Sequence, residues 1–152
     1  MVGARLGAGL SAPGAPPVTY AIGPPVSAEA IAGLRAAVGW DTLAADYPAA
    51  LAGYWATVGG LDPAGELVAW CAILSDGVRH AVLLDVIVHP RWQGRGVGRA
   101  LVARAIEHIA SRGVTVVHVD FTIENAAFYA RCGFRIGLGG IYEIPQATDH
   151  RR

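Results

Sequence analysis

The chain has 152 residues, of which 53% are apolar and 16% are charged, and its twelve acidic residues balance its twelve basic residues. This length and composition predict a single domain with one apolar core, because two ordinary domains would need a longer chain. The balanced charge argues against a general electrostatic attraction to DNA, RNA or an anionic membrane. We therefore expect neither a nucleic-acid nor a membrane partner.

The choice of residue types narrows the chemistry further. All twelve basic residues are arginine, which excludes a Schiff-base lysine and the lysine of a Walker phosphate loop. Cys71 and Cys132 stand singly in apolar surroundings, a pattern typical of reduced, buried thiols in the cytoplasm. The histidines show no metal-binding spacing, so we expect no metal.

The two ends of the chain predict tails. Residues 1–17, MVGARLGAGLSAPGAPP, are rich in Gly, Ala and Pro and lack the continuous apolar stretch of a secretory signal. The longest apolar runs fall short of the roughly 20 residues of a membrane span. We expect a flexible tail over residues 1–17, a domain over 18–146, a short tail over 147–152, and a soluble cytoplasmic protein.

The body begins with one strand and one clear helix. A short strand near Val18–Ile22 precedes a helix from about Ser27, whose hydroxyl can cap it and which Gly39 ends. Asp41–Tyr47 is predicted to be a second short helix or a loop, closed by Pro48.

The middle of the chain predicts antiparallel strands. Strand-like stretches lie around residues 54–58 and 67–74, separated by the turn GGLDPAG, and SDG at 75–77 marks a hairpin turn. AVLLDVIVH, residues 81–89, is the next strand, and Pro90 ends it.

The last third predicts a strand–helix–strand unit. A helix over about residues 96–111 carries its apolar residues on one face, and VTVVHVDF, residues 114–121, is the strand that follows. NAAFYARC is a short helix closed by Gly133, and FRIG with GGIYEI forms a terminal hairpin. Antiparallel strands followed by this unit predict an α+β domain with a mixed, mostly antiparallel sheet flanked by helices.

The segment VHPRWQGRGVGRALV, residues 88–102, places three glycines and three arginines where a strand gives way to a helix. The first turn of a helix has unpartnered N–H groups and positive partial charge, so an anion is the natural occupant. Bare glycines allow a phosphate close to the main chain, and arginines can reach its outer oxygens. These residues are Gly94, Gly96 and Gly98, and Arg91, Arg95 and Arg99.

The spacing distinguishes between nucleotide-binding loops. A dinucleotide fingerprint starting at Gly94 needs glycine where Arg99 stands, and a Walker loop needs lysine. Gln93-x-x-Gly96-x-Gly98 after a strand ending in Val-His-Pro resembles instead the pyrophosphate signature of the GNAT superfamily of acetyltransferases. The resemblance implies an acetyl-coenzyme A co-substrate bound by Val88, Gln93, Gly94, Arg95, Gly96, Val97, Gly98 and Arg99.

A second block supports the resemblance. FYARCGF, residues 128–134, is similar to the GNAT block in which a tyrosine four residues before Gly-Phe lies near the coenzyme sulfur. The GNAT-like signal covers about residues 67–144, and VGW at 38–40 is similar to one branch of small bacterial members. Family members often carry an asparagine about seven residues before that tyrosine, whereas Asn125 stands only four before Tyr129. Helix capping is therefore the expected use of Asn125.

The resemblance implies direct transfer of acetyl to a neutral amine without an acyl-enzyme, so an acid and a base are needed. Tyr129 is the expected acid for the departing thiolate, and its alternative is packing of a short helix. Asp85 is the expected base, because a carboxylate in an apolar strand is costly unless it is paired or used.

The assignment of the base leaves alternatives open. Alternation places Asp85 on the strand face of Ile87 and His89, opposite Val86 and Val88. Its alternative role is a structural carboxylate that holds a neighbouring loop or arginine. Four other residues are rivals for the base: His89, His118, Asp120 and Glu124.

The donor to the acetyl carbonyl is expected to come from the backbone. In similar proteins a bulge before the loop directs a free N–H near Val88 at this carbonyl.

The second substrate is the least defined part. Five aromatic residues are candidates for a wall around an arylalkyl or polyamine-like amine, although core packing is the commoner use of such residues. Asp41 and Asp46 can attract an ammonium group or cap helices. We predict an N-acetyltransferase acting on the primary amine of a small molecule; the alternatives are a protein N-terminal or lysine acetyltransferase and a non-catalytic coenzyme A-binding module. Exposed sheet edges also allow a homodimer. The aromatic candidates are Trp40, Tyr47, Tyr54, Trp55 and Tyr142.

Overall fold

One five-stranded sheet organises the chain in the computed structural model, which describes residues 17–144. The strands pair in chain order; β1 to β4 are antiparallel and β5 pairs in parallel with β4. The predicted α+β class with a mostly antiparallel sheet is confirmed. Residues 1–16 and 145–152, which hold nearly all of both expected tails, lie outside the described range. The strands are β1 (Thr19–Ile22), β2 (Ala56–Leu61), β3 (Leu67–Ser75), β4 (His80–Val88) and β5 (Val116–Val119).

Four α-helices accompany the sheet. Ser27 caps the first helix as predicted, since its Oγ accepts the N–H of Ala30 at 3.2 Å. Within residues 17–144 no helix is long and apolar enough to cross a membrane. The helices are α1 (Ala28–Ala37), α2 (Tyr47–Gly53), α3 (Val97–Ser111) and α4 (Ala126–Arg131), with short 3₁₀ turns at Pro90–Trp92 and Ile123–Asn125.

The larger core lies between α3 and the sheet. The apolar face predicted for this helix is confirmed, because its inward residues are buried and join the core residues of β2, β3 and β4. Burial raises the pKa of the Cys71 thiol in this core to about 12, so Cys71 is a small apolar residue there. The inward residues of α3 are Val97, Leu101, Val102, Ala105 and Ile109.

A smaller core covers the opposite face of the sheet. Ile31 and Leu34 of α1 and Tyr47 of α2 pack on Trp70 of β3 and Ile87 of β4. The two cores hold the central strands β3 and β4 between layers of helix, which fixes the positions of the side chains at the carboxyl end of β4.

Two predictions for the first half of the chain were wrong. Pro48 does not close a segment; it lies in the first turn of α2, where its missing N–H costs no hydrogen bond. Strand β2 continues through Gly59 and Gly60, which we had assigned to a turn. A Cβ on Gly60 would come within 3.0 Å of the Ala69 Cβ, so glycine is required there by close packing.

The predicted terminal hairpin is also wrong within the described residues. No strand follows α4, and residues 134–144 adopt neither helix nor strand. Gly137, Gly139 and Gly140 raise the conformational entropy that a strand in this segment would lose, which opposes its formation. Leu138 and Tyr142 are consequently exposed.

Asp76 organises the β3–β4 hairpin. Its Oδ1 accepts the backbone N–H groups of Val78, Arg79 and His80 at 2.8–2.9 Å. These hydrogen bonds, led by the one from Val78, lower the pKa of Asp76 from 3.8 to about 2. Because the folded-state pKa lies below the ordinary value, the stabilisation is fully present above about pH 4 and is lost as the pH falls toward 2.

We predict that Asp76→Ala lowers the free energy of unfolding at neutral pH, because three N–H groups lose their acceptor. The deficit relative to the original chain should shrink between about pH 4 and pH 2, where the carboxylate of the original chain takes up its proton. Urea denaturation across this pH range measures both. A deficit that stays constant down to pH 2 would contradict the role of the ionised carboxylate.

Candidate active site

A cleft opens where two neighbouring strands separate. The parallel pairing of β4 with β5 ends at Leu83 and Val119. Beyond this point the carboxyl end of β4, the first turn of α3 and helix α4 line a cleft of about 860 Å³. Its lining includes Asp85, Val88, Gly96, Arg99, Asp120 and Tyr129.

A β-bulge in β4 lies beside the cleft. Trp70 pairs with Ile87 and Ala72 pairs with Leu84, so Asp85 and Val86 together oppose the single residue Cys71. Asp85 has φ 50°, a left-handed conformation that is uncommon outside glycine. The bulge is thus two to three residues earlier than the position near Val88 that we had expected. The extra residue also interrupts the alternation of side chains before Asp85: Ala81 and Leu83 face the larger core, whereas Ile87 faces the smaller one.

The Val88 N–H still points at the cleft. The neighbouring His89 N–H donates to Val68 O of β3 at 2.9 Å. Because successive N–H groups of a strand point to opposite sides, the Val88 N–H points away from β3, toward the side where β5 has already ended. The carbonyl of Val88 accepts the Gln93 side-chain amide at 2.9 Å, which ties the strand end to the glycine loop.

Two glycines of the loop need their lack of a side chain. Gly94 and Gly96 have φ 71° and 81°, a region that costs other L-residues about 1–2 kcal/mol. A Cβ on either residue would meet nothing within 4 Å. Both residues line the cleft, so their bare main chain leaves open space for a ligand beside the loop.

Gly98 lines the cleft, and its lack of a side chain also has a consequence for packing. A Cβ at this position would lie 3.3 Å from the Phe128 ring and from Val88 Cγ2. Gly98 therefore allows α3 to pack closely against α4 and the end of β4. Its N–H still belongs to the first turn of α3, where the N–H groups of residues 97–99 lack intrahelical partners.

The arginines of the loop separate into two groups. Arg99 lines the cleft, whereas the Arg95 guanidinium lies 5.8 Å from the centre of the Trp92 ring, an exposed cation–π contact. Arg91 is not among the residues that line the cleft. Arg131 of α4, which the sequence reasoning missed, lines it beside Arg99. Two arginines near the helix N-terminus make this end of the cleft suitable for an anion.

Tyr129 lies in the cleft within an aromatic cage. Its ring stacks on Phe121 at 4.7 Å and meets the edges of Phe128 and Phe134 at 5.0 and 5.6 Å. Burial, with smaller effects from Cys71 and other neighbours, raises the pKa of Tyr129 above its usual 10. The phenol therefore keeps its proton at neutral pH, as a proton donor must.

Asp85 holds two other side chains in place. Its Oδ1 accepts Arg35 Nη1 at 2.8 Å, and its Oδ2 accepts the Tyr47 hydroxyl at 2.6 Å. The contacts place Asp85 on the face of Ile87, as the alternation predicted. The partners lie on α1 and α2, so the bulge of β4 is tied to both helices. Burial and the Asp85 hydrogen bond raise the pKa of Tyr47, which stays protonated as the donor.

The rival bases lie in different places. Asp120 lines the cleft together with Asp85. His89 accepts the Arg91 N–H at 3.2 Å and caps a 3₁₀ turn, and His118 contacts His80 on the exposed part of the sheet. A hydrogen bond with the Thr122 side chain lowers the pKa of the exposed Glu124. Among the rivals, the structure brings only Asp120 to the cleft.

The aromatic candidates do not form one wall. Trp40 lines the cleft, and its ring lies 5.2 Å from the Arg35 guanidinium. Tyr47 is buried in the smaller core, and Tyr142 is exposed. Tyr54 and Trp55 line a separate groove. Only Trp40 of the five candidates is therefore in contact with the cleft.

The acidic residues near Trp40 and the asparagine before α4 do not cap helices with their side chains. The Asp41 carbonyl accepts the Arg35 Nε, and Asp46 precedes α2 without a side-chain capping bond. Asn125 makes no capping bond either; its amide donates to Thr122 Oγ1 at 3.4 Å. Capping was thus the wrong expectation for the Asn125 side chain, which instead lines the cleft.

Arg35 is the main functional residue that sequence reasoning missed. It is 8% exposed and occupies the buried face of α1 with Ile31 and Leu34. An arginine on an otherwise apolar helix face requires a buried partner. The position of Arg35 on the same helix face as Ile31 and Leu34 was therefore the signal available in the sequence.

Among residues 17–144 no group of three or more His, Cys, Asp or Glu side chains could hold a metal ion.

Comparison with known sequences places the chain in a family. The sequence model of the Acetyltransferase (GNAT) family matches residues 32–134. Serotonin N-acetyltransferase 2 of rice (Oryza sativa subsp. japonica) is 34% identical over 80 residues, which are 53% of this chain and 40% of that protein. Glucosamine 6-phosphate N-acetyltransferase 1 of rice is 44% identical over 50 residues, 33% and 30% of the two chains. The chain thus spans less than half the length of these relatives.

Solved structures share the fold. A GNAT-family acetyltransferase from Streptococcus pneumoniae TIGR4 superposes with TM-score 0.69 and 25% identity, over 85% of this chain and 98% of that one. A GNAT-family N-acetyltransferase from Escherichia coli in complex with CoA gives TM-score 0.67 and 20% identity, over 80% and 70% of the chains. With more than half of its residues matched by the family's sequence model, this chain belongs to the GNAT family of acetyltransferases.

Proposed function

We propose that the protein is an acetyl-coenzyme A-dependent N-acetyltransferase that transfers acetyl directly to the primary amine of a small molecule. The observation that carries the proposal is the cleft between β4 and β5, with an anion-binding helix start at one end and a buried tyrosine within it. The named activities of the rice relatives, which acetylate serotonin and glucosamine 6-phosphate, support a small amine as acceptor.

The residues around the loop fit the coenzyme diphosphate. Gly94 and Gly96 leave open space beside the main chain, and the first-turn N–H groups of residues 97–99 point out of the helix end. Arg99 and Arg131 both line the cleft and add positive charge to it. Gln93 also lines the cleft, and its side-chain amide ties the loop to the end of β4 by donating to Val88 O.

The chemistry requires two proton transfers. The amine nitrogen forms a bond to the thioester carbonyl carbon, the carbon–sulfur bond breaks, and the nitrogen loses a proton. Tyr129 is our candidate donor of a proton to the departing sulfur, and burial, which raises its pKa, keeps that proton bound at neutral pH until transfer. The Val88 N–H, directed into the cleft, is our candidate donor to the carbonyl oxygen.

For the base we propose Asp85 acting through a water molecule. A carboxylate offers about four lone-pair positions, and the bonds from Arg35 and Tyr47 use one on each oxygen. The remaining positions can accept a proton relayed from the amine. Asp120 is the second carboxylate that lines the cleft, and the ion pair of Asp85 with Arg35 makes Asp120 the main competitor.

The acceptor panel tests the central proposal. We expect release of free coenzyme thiol when acetyl-coenzyme A is mixed with small primary amines, and little release with peptides, because the cleft is bounded by Trp40 and helix α4. Transfer to peptide amines alone would favour a protein acetyltransferase. Coenzyme binding without transfer to any amine would favour a non-catalytic binding module.

A glycine pair tests the diphosphate site. Gly96→Ala should weaken coenzyme A binding about tenfold or more in calorimetry, because its φ of 81° lies at the start of α3. Gly113→Ala is the matched control, with φ 84° and open space at the other end of the same helix. Both variants should lose similar stability, about 1 kcal/mol. Equal affinities in the two variants would reject the site.

Tyr129→Phe tests the acid. The variant keeps the aromatic cage and loses only the hydroxyl, so we expect kcat to fall about 100-fold while the Kd for coenzyme A stays within twofold. The matched control is Tyr142→Phe, which removes the hydroxyl of an exposed tyrosine. An unchanged kcat in Tyr129→Phe would show that the ring only packs α4.

Two carboxamide variants separate the candidate bases. If Asp85 is the base, Asp85→Asn should remove the acidic limb of the kcat/KM pH profile, whereas Asp120→Asn should keep it. Arg35→Met is the control for structure, because it breaks the ion pair and leaves the carboxylate in place. An intact limb in Asp85→Asn together with its loss in Asp120→Asn would transfer the role to Asp120.

A further inference from the structure

Two histidines meet on the sheet, away from the cleft residues. His80 Nδ1 and His118 Nε2 lie 3.0 Å apart, and the ring centroids are 5.3 Å apart with 26° between the ring planes. The two ring radii account for the difference between these distances, so both nitrogens lie near the line that joins the centroids. The two rings therefore meet end to end at one contact point, as in an N–H···N hydrogen bond.

The backbone fixes both rings at that point. Val82 pairs with His118 and Val116 pairs with His80, so the two side chains are diagonal neighbours across the parallel ladder. Ala81 and Leu83 face the larger core, which places His80 on the opposite face of β4, where both histidines are exposed. The Asp76 carboxylate fixes the backbone of His80, and the Ser75 hydroxyl donates to its carbonyl.

We propose that His80 and His118 form a two-histidine site for a divalent transition-metal ion, with Zn²⁺ as its test ligand. Zinc binds imidazole nitrogen at about 2.0–2.1 Å, so two nitrogens on one tetrahedral ion lie roughly 3.3 Å apart. The observed 3.0 Å is close to this separation, and each ring must turn by about 35° from the line between the centroids so that its lone pair meets the ion. Each ring binds as neutral imidazole, with its proton on the outer nitrogen and water filling the remaining positions.

A neighbouring carboxylate favours a cation. Asp76 lies beside His80, whose backbone N–H donates to its Oδ1 at 2.9 Å. A bound ion would join β4 to β5 at the start of their short ladder, whose other end, at Leu83 and Val119, opens into the cleft. Because both ligands come from folded strands, binding should stabilise the native state.

The test is Zn²⁺ calorimetry and thermal denaturation of the full chain after removal of any purification tag. We expect one site with the original chain, and a rise in Tm when zinc is added. His80→Gln and His118→Gln should each weaken binding tenfold or more, and the double variant should be little weaker than either single variant, because one missing ligand already ends the chelation.

The matched control is His108→Gln, which removes a histidine of α3 that packs against the Trp55 ring. It should keep the affinity and the Tm rise of the original chain. Melting of each variant without zinc separates a lost ligand from a lost fold. The proposal is overturned if His80→Gln or His118→Gln, folded as judged by melting without zinc, binds zinc like the original chain, or if His108→Gln weakens binding as much as they do. Because no substrate is involved, these results are independent of the proposed transferase activity.

Discussion

The short parallel pairing of β4 with β5 determines where this protein can bind a ligand. Four residues of each strand pair, and the pairing stops at Leu83 and Val119 while β4 continues. On the side that β5 has left, β4 presents N–H groups to whatever fills the gap, while its other edge stays paired with β3. The bulge at Asp85 lies at this point, and the first turn of α3 lies at the far end of the same strand. The cleft therefore lies where the sheet is interrupted, between the end of β4 and the first turn of α3.

The Asp85 contacts explain how the interruption is kept in shape. A left-handed aspartate in a strand costs conformational energy, and a half-buried carboxylate costs solvation. Arg35 and Tyr47 offset the second cost with short hydrogen bonds from two helices on one face of the sheet. The same contacts limit the freedom of Asp85 as a base. The proposed role of Asp85 as a base therefore competes with its structural contacts, which is why Asp120 has to be tested beside it.

The sequence predicted the regular parts of the fold because their patterns are local. The apolar spacing along α3, the Ser27 cap and the glycine loop each depend on neighbouring residues, and each lies where expected. The extent of β2 could not be read, because Gly59 and Gly60 belong in a strand only through their contacts with Pro24 and Ala69. Long-range packing of this kind leaves no local signal.

The candidate site was predictable in its loop and less so in its partners. The roles of Gly98, packed on Phe128, and of Arg35, paired with Asp85, depend on residues distant in sequence. The position of the bulge depends on the register between β3 and β4, which alternation alone does not fix. The five aromatic candidates have suitable side chains for an acceptor wall, but the fold distributes them over four different surroundings, so they do not form one wall.

The central claim is that a diphosphate binds the first turn of α3. Titration of the isotope-labelled protein with coenzyme A, followed by amide chemical shifts, tests it most directly. The account predicts that the largest shifts fall on the amides of residues 94–99 and on Val88. Largest shifts in the separate groove around Trp55, His108 and Arg112, with residues 94–99 unmoved, would contradict it.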